Sequence, residues 1–201
     1  EPAYFFPDPW SNTPTDQNKF DEPLYKVISE LVNENAKNNS KLKSMLKFFL
    51  YFLYYFKKEN LFLYIKLIFS SFFSKKWNKA LFLDLFLNDF HINKIKKFKP
   101  DFSSIFLNAG AHLQHHYFLN MINKDNLNPD WYIKKDLDPS DDLFLVYDRI
   151  LKNHFKLKDE YDYLILTGLS QTPIEKPVYY YRLNNHEEFL KNFGFKFKKI
   201  L

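Results

Sequence analysis

The order of predicted elements places this chain in the α/β class, as a mostly parallel sheet flanked by helices and interrupted by an all-helical insertion. Three observations carry that expectation. Asp162-Tyr-Leu-Ile-Leu-Thr167 is a short, apolar run of the kind that fills a parallel sheet. Phe102 to Asn108 reads as a second buried strand, which turns at Gly110 into a helix bearing three of the six histidines. Residues 41–97 read as helix almost throughout. The domain assignment follows: 1–40 and 98–201 form an α/β core, and 41–97 form a helical insertion placed to act as a lid.

Residues 1–6 predict a short apolar strand, and Pro7, Pro9 and Pro14 exclude regular structure after it. Such a strand is not a natural domain start, so an upstream part of the same protein is expected. A helix follows over 20–37, with Leu24, Val27, Ile28, Leu31 and Val32 on one stripe and Asp21 and Glu22 in its first turn. Phe48 to Phe56 is an unbroken apolar run; Lys57-Lys-Glu-Asn60 interrupts it, and Leu61 to Phe73 resumes it around Lys66. A spanning helix needs ~20 apolar residues, so no transmembrane span is expected. Two buried helices in a hairpin are the simpler reading; an aromatic face for a partner or a membrane surface is the sharper one.

The next helix, 76–97, carries Trp77, Ala80, Leu81, Asp84, Leu85 and Asn88 at helical spacing, and Pro100 stops it. The histidine helix is predicted over 109–123. Asp138-Pro-Ser-Asp-Asp142 starts another, running to about Phe155. Val178 to Leu183 predict a strand, 184–193 a helix closed by Gly194, and 195–200 a last strand.

Composition bounds the function. The 201 residues suit one domain. The net charge of +5, from 29 basic and 24 acidic residues, reads as a mild excess spread along the chain. Its short lysine runs read as solvated faces, so no nucleic acid is expected as a dedicated partner. The 20% aromatic share with Gly 3 suggests an AT-rich genome, which discounts individual Phe and Lys residues. The absence of cysteine excludes disulfides, thiolate zinc sites and a cysteine nucleophile. The chain opens at Glu1 without a basic-then-apolar leader, and a cytoplasmic location is expected.

In an open α/β sheet, ligands gather at the carboxyl ends of the strands. That rule would bring together Pro7-Asp8-Pro9-Trp10, Asn108 to His116, and Thr167-Gly-Leu-Ser-Gln171. His112 shares a helix face with His116, four residues on, and with His115, three residues on. Two imidazoles at that spacing can hold a divalent metal, given a third ligand. Asn108 and Asp8 are the candidates to complete the set, and His115 and His116 are candidate acid–base groups. Gln114, Tyr117, Ser170, Gln171 and Arg182 are candidate substrate-binding residues. Arg182 is one of only two arginines and suits bidentate binding of an anion. The plainer reading is a turn-capping histidine, one packed against Tyr117 and one in solvent, with Asp8 bonding its own turn and Arg182 in a salt bridge. Ser170 lacks the Gly-x-Ser-x-Gly elbow of a nucleophile.

The strand leading to Asn108-Ala-Gly-Ala-His112 resembles the Asp-x-x-x-His element of the alkaline-phosphatase-like superfamily, which includes type I phosphodiesterases and nucleotide pyrophosphatases. Phe6-Pro7-Asp8-Pro9-Trp10 resembles the loop that precedes the helical insertion in some members. Leu164-Ile-Leu-Thr167 stands where their strand bearing an Asp-His pair would be, and His186 stands for their last metal histidine. The resemblance implies an α/β sandwich and hydrolysis of small anionic phosphate or sulfate esters at a two-metal site, usually zinc, through a Thr or Ser nucleophile. The metals would polarise the ester oxygen and activate the nucleophile. Asn108 departs from the pattern where Asp is expected, Leu169-Ser170 replaces Asp-His, and the nucleophile would lie upstream of Glu1. The expected function is therefore a metal-dependent ester hydrolase with a divergent site. The alternative is a non-catalytic α/β binding module whose aromatic helical block meets a partner or a membrane surface.

Overall fold

The computed structural model describes residues 4–7, 9, 21–33, 41–73, 75–122, 134, 136–167, 172, 183 and 185–195. The chain divides into two compact units, Glu1–Leu169 and Ser170–Leu201. Among the described residues every regular element is helical. The first unit contains α1 (Glu22–Asn33), α2 (Lys41–Tyr55), a 3-10 turn (Lys58–Asn60), α3 (Leu61–Phe73), α4 (Asn78–Phe98), α5 (Ala109–Ile122) and α6 (Ser140–Phe155). The second contains α7 (His186–Asn192), an exposed helix capped by the Asn185 side chain, which accepts from Glu188 N at 3.1 Å.

Helix α4 is the centre of the first unit and packs against α2, α3, α5 and α6. Its 21 residues bury Leu81, Leu85, Phe86, Phe90 and Ile92 on several faces, as expected of a helix surrounded by others. Phe52 of α2 meets Tyr64 of α3 and Phe82 of α4 at ring-centroid distances of 4.9 and 5.4 Å, and Phe48 meets Phe86 at 5.0 Å. Helices α2 and α3 therefore lie on one side of α4, joined by the 3-10 turn. Helix α4 closes with Lys99 in the left-handed region (φ 45°), its N–H bonded to Ile95 O at 2.8 Å, and Pro100 prevents continuation.

Buried aspartates pin the helices to one another. Asp21, just before α1, accepts from Lys94 of α4 and from the hydroxyl of Tyr55 of α2 at 2.6 Å. Asp89 of α4 accepts from Lys57 N (2.9 Å), Asn60 Nδ2 (2.7 Å) and Tyr64 OH (2.8 Å), so it holds the 3-10 turn and α3. Burial pushes its carboxyl up to about 6, against the pull of those donors. Asp142 of α6 accepts from Trp77 Nε1 at 3.1 Å and Lys75 Nζ at 2.8 Å.

The α/β expectation is overturned. The helices stand where the periodicity places them, but the described residues contain no strand and no sheet. Residues 102–108 run without regular structure, with Phe102 and Phe106 exposed. Residues 161–167 do the same, with Leu164, Ile165 and Leu166 exposed. A strand must exchange its N–H and C=O groups with a neighbouring strand. Segments of six or seven residues carry no periodicity that demands one. Tyr4 and Phe6 extend no sheet either: their rings pack on Phe90, at 5.9 and 5.0 Å. The strands expected at 178–183 and 195–200 lie almost wholly outside the described residues.

Candidate functional site

The stretch that turns into the histidine helix is fixed from behind by a buried carboxylate. Asp84 of α4 accepts Asn108 N through Oδ1 at 3.3 Å and Ala109 N through Oδ2 at 2.9 Å. The Tyr147 hydroxyl of α6 donates to Asp84 Oδ2 at 3.2 Å and accepts Gly110 N at 2.8 Å. Three of the N–H groups that open α5 are thus satisfied by side chains from two other helices. A methyl at position 110 would meet the Tyr147 hydroxyl at 3.0 Å, so glycine permits the close approach. Burial raises the Asp84 carboxyl to about 6, although the bonds from Ala109, Asn108 and Tyr147 favour its charged form. Asp84 stood on the core stripe of its helix in the sequence, but its partners lie 24 and more residues away and left no local signal.

Helix α5 presents His112, His115 and His116 at the surface. The rings of His112 and His116 lie 4.8 Å apart, edge to face. Partial burial lowers the His112 pKa, reinforced by His116 and His115; burial and then His115 lower that of His116. Both shifts favour the neutral ring that metal ligation requires. A zinc site still needs at least three protein ligands. Among the described residues no group of three or more His, Asp or Glu is placed to hold a metal. Asn108 gives its carbonyl to His112 N at 3.0 Å, within the helix start. Tyr117 packs edge-on against Trp77 at 5.2 Å, which ties it to the core, and Gln114 is half-buried on the same helix. His186 opens α7 in the second unit and is exposed. Asp8, Ser170, Gln171 and Arg182 lie outside the described residues.

A second imidazole pair went unread in the sequence. His91 of α4 and His154 of α6 have ring centroids 5.8 Å apart, and His91 Nε2 lies 3.1 Å from Ser103 Oγ. Burial, with His154 behind it, pushes His91 down to about 4. An imidazole that acidic is a weak general base at neutral pH.

Helices α2 and α3 also present an apolar surface. On α2, Met45, Leu46, Phe49, Leu50, Leu53 and Tyr54 are exposed, while Phe52 and Tyr55 face the core. On α3, Leu63, Tyr64 and Leu67 are buried, and Phe62 (81%), Phe69 (65%), Phe72 (76%) and Phe73 (73%) are turned out. An aromatic side chain carries 150–250 Å², so these four phenylalanines alone expose roughly 500 Å². Monomers rarely leave a larger apolar patch uncovered. No helix among the described residues is long and apolar enough to cross a membrane.

The charge is also less even than a net +5 suggests. Residues 41–83 hold nine lysines and one glutamate, a net of +8, which leaves −3 for the rest of the chain. Helices α2 and α3 contain no acidic residue, and Lys43, Lys47 and Lys66 are exposed beside the apolar stripes. No family model, no curated protein and no solved structure matches this chain.

Proposed function

We propose that this protein is a binding module that lays the outer faces of α2 and α3 on an anionic phospholipid surface. The observation that carries the proposal is the coincidence of the exposed aromatic stripes with the lysine-rich, acid-poor segment 41–83. Interfacial helices combine an apolar face of Phe and Leu with flanking lysines, and they sink ~5–10 Å into the headgroup boundary. Covering half of the phenylalanine area contributes about 6 kcal/mol. Each lysine near a negative leaflet adds about 1 kcal/mol. The lysine stems extend along the apolar surface while the ammonium groups reach the phosphates.

Metal-dependent ester hydrolysis has a single supporting observation, the adjacent His112–His116 pair with lowered pKa values. The strand ends that gathered its other residues are not found among the described residues. A second copy would meet the apolar stripes equally well but does not explain the segregation of positive charge, and a partner protein would need an acidic surface to do so.

Vesicle flotation tests the docking. The protein is expected to float with phosphatidylcholine vesicles containing phosphatidylserine, to float weakly with phosphatidylcholine alone, and to release at high salt. Phe62→Ser, Phe69→Ser and Phe72→Ser together, all at exposed positions, should weaken binding by about 100-fold or more while the helical content is unchanged. Equal flotation of the triple variant overturns the proposal. So does self-association that buries these phenylalanines and persists on vesicles.

A further inference from the structure

We propose that the cavity between the 3-10 turn, α4 and the end of α6 is a binding site for a phosphate monoester or diphosphate group. Its volume is about 350 Å³. Lys57, Lys58, Lys96 and Lys156 line it from three separate parts of the chain. Its one acidic lining residue, Glu59, is paired with Lys156. The lining side chains therefore carry a net formal charge of +3. Burial lowers the pKa of Lys57, with Lys96 and Lys156 adding to the shift and Asp89 and Glu59 opposing it. An anion in the cavity would reverse that repulsion.

The second observation is Asn153. Its residue is 1% exposed, it lines the cavity, and both Nδ2 and Oδ1 lack a hydrogen-bond partner. A buried amide left unpaired is destabilising, and a native protein keeps such a group for a reason. A turn of this side chain toward the cavity would let Nδ2 donate to an oxyanion, with a protonated phosphate oxygen donating to Oδ1. Ile92 and Leu157 supply an apolar wall for a small organic portion. Lysine ammonium groups bind phosphate as point charges, so the site selects charge density more than shape.

This site stands apart from the membrane reading, because a soluble anion can report on it. Calorimetric titration of the full chain with inorganic pyrophosphate, with vesicles of phosphatidic acid as the second arm, is the experiment. Asn153→Leu removes the unpaired amide at nearly constant volume, so it should raise Tm and abolish pyrophosphate binding. Lys96→Ala with Lys156→Ala, both exposed, should raise Kd by about 100-fold, at roughly 10-fold per lost charged contact. Glu59→Gln frees Lys156 and should tighten binding several-fold. The Phe62, Phe69 and Phe72 triple variant should keep pyrophosphate affinity, which separates this site from the docking face.

Pyrophosphate binding that follows these variants assigns a free phosphate ligand. Preference for phosphatidic acid over phosphatidylserine, lost in Asn153→Leu without pyrophosphate affinity in the wild type, assigns a lipid headgroup with the same chemistry. No response in either arm overturns the site, and so does binding that all the lysine and Asn153 variants retain.

Discussion

Asp21→Ala is expected to cost the protein about 3–5 kcal/mol, because it leaves an ammonium group buried without a counter-charge. Lys94 Nζ lies 2.5 Å from Asp21 Oδ2, with side chains 7% and 3% exposed. Three aromatic rings surround the ammonium, Tyr4 at 4.7 Å, Phe90 at 4.8 Å and Tyr55 at 5.2 Å. Cation–π attraction of about 2 kcal/mol when desolvated cannot replace the carboxylate. The same carboxylate accepts the hydroxyls of Tyr55 and Tyr4, and burial with the Asp21 charge raises the pKa of both phenols. Losing it frees α2 and α4 from the start of α1. Asp21→Leu with Lys94→Met removes both charges and should cost clearly less than Asp21→Ala alone. Urea unfolding compares the three. A cost of Asp21→Ala below about 1 kcal/mol, the range of exposed pairs, would show that the pair is solvated.

The second large effect is at Asp84. Asp84→Ala should destabilise by about 3 kcal/mol, since it strands the N–H groups of Asn108 and Ala109 in a closed interface and unseats Tyr147. Tyr147→Phe, which frees only Gly110 N and one bond to Asp84, should cost about 1–2 kcal/mol. The two share partners, so their costs should not add, and a double-mutant cycle measures the coupling. Asp84→Asn gives a pH signature. The Asp84 carboxyl is raised from 3.8 to about 6 in the folded protein. Its protonation therefore contributes stability that is fully present below 3.8 and lost as pH rises through about 6. The stability gap between wild type and Asp84→Asn should widen by about 3 kcal/mol as pH falls through that window. A gap independent of pH would mean that Asp84 is not buried against α5.

The helices were legible because they repeat. Leu24, Val27 and Ile28 mark the buried stripe of α1 in the sequence and in the fold. The acidic turn at Asp141 and Asp142 marks the start of α6, and Pro100 follows the end of α4. The sheet was not legible because it was inferred from composition. Phe102 to Asn108 and Asp162 to Thr167 are apolar but too short for a period, and the fold leaves much of their apolar surface exposed. The strand ends that joined Asp8, Asn108 and Ser170 into one site were lost with it. What remains of that site, the His112–His116 pair, came from helical spacing alone. The features that carry the two proposals are tertiary. Lys57 and Lys96 belong to short lysine runs that read as solvated faces, Lys156 drew no notice, and only the packing of α4 against α6 and the 3-10 turn gathers them. Phe62 and Tyr64 are near neighbours of similar character in the sequence. Only the position of α4 decides which is buried.

The chain has no cysteine, so single labels can be introduced without background. A spin label at Phe69→Cys on α3 and another at Lys152→Cys on α6, read on phosphatidylserine-containing vesicles, test the docking claim most directly. The label at 69 should become accessible to oxygen and shielded from a water-soluble nickel relaxer, while the label at 152 stays in water. If vesicle-bound protein leaves position 69 as open to the nickel relaxer as position 152, the α2–α3 face is not the docking surface.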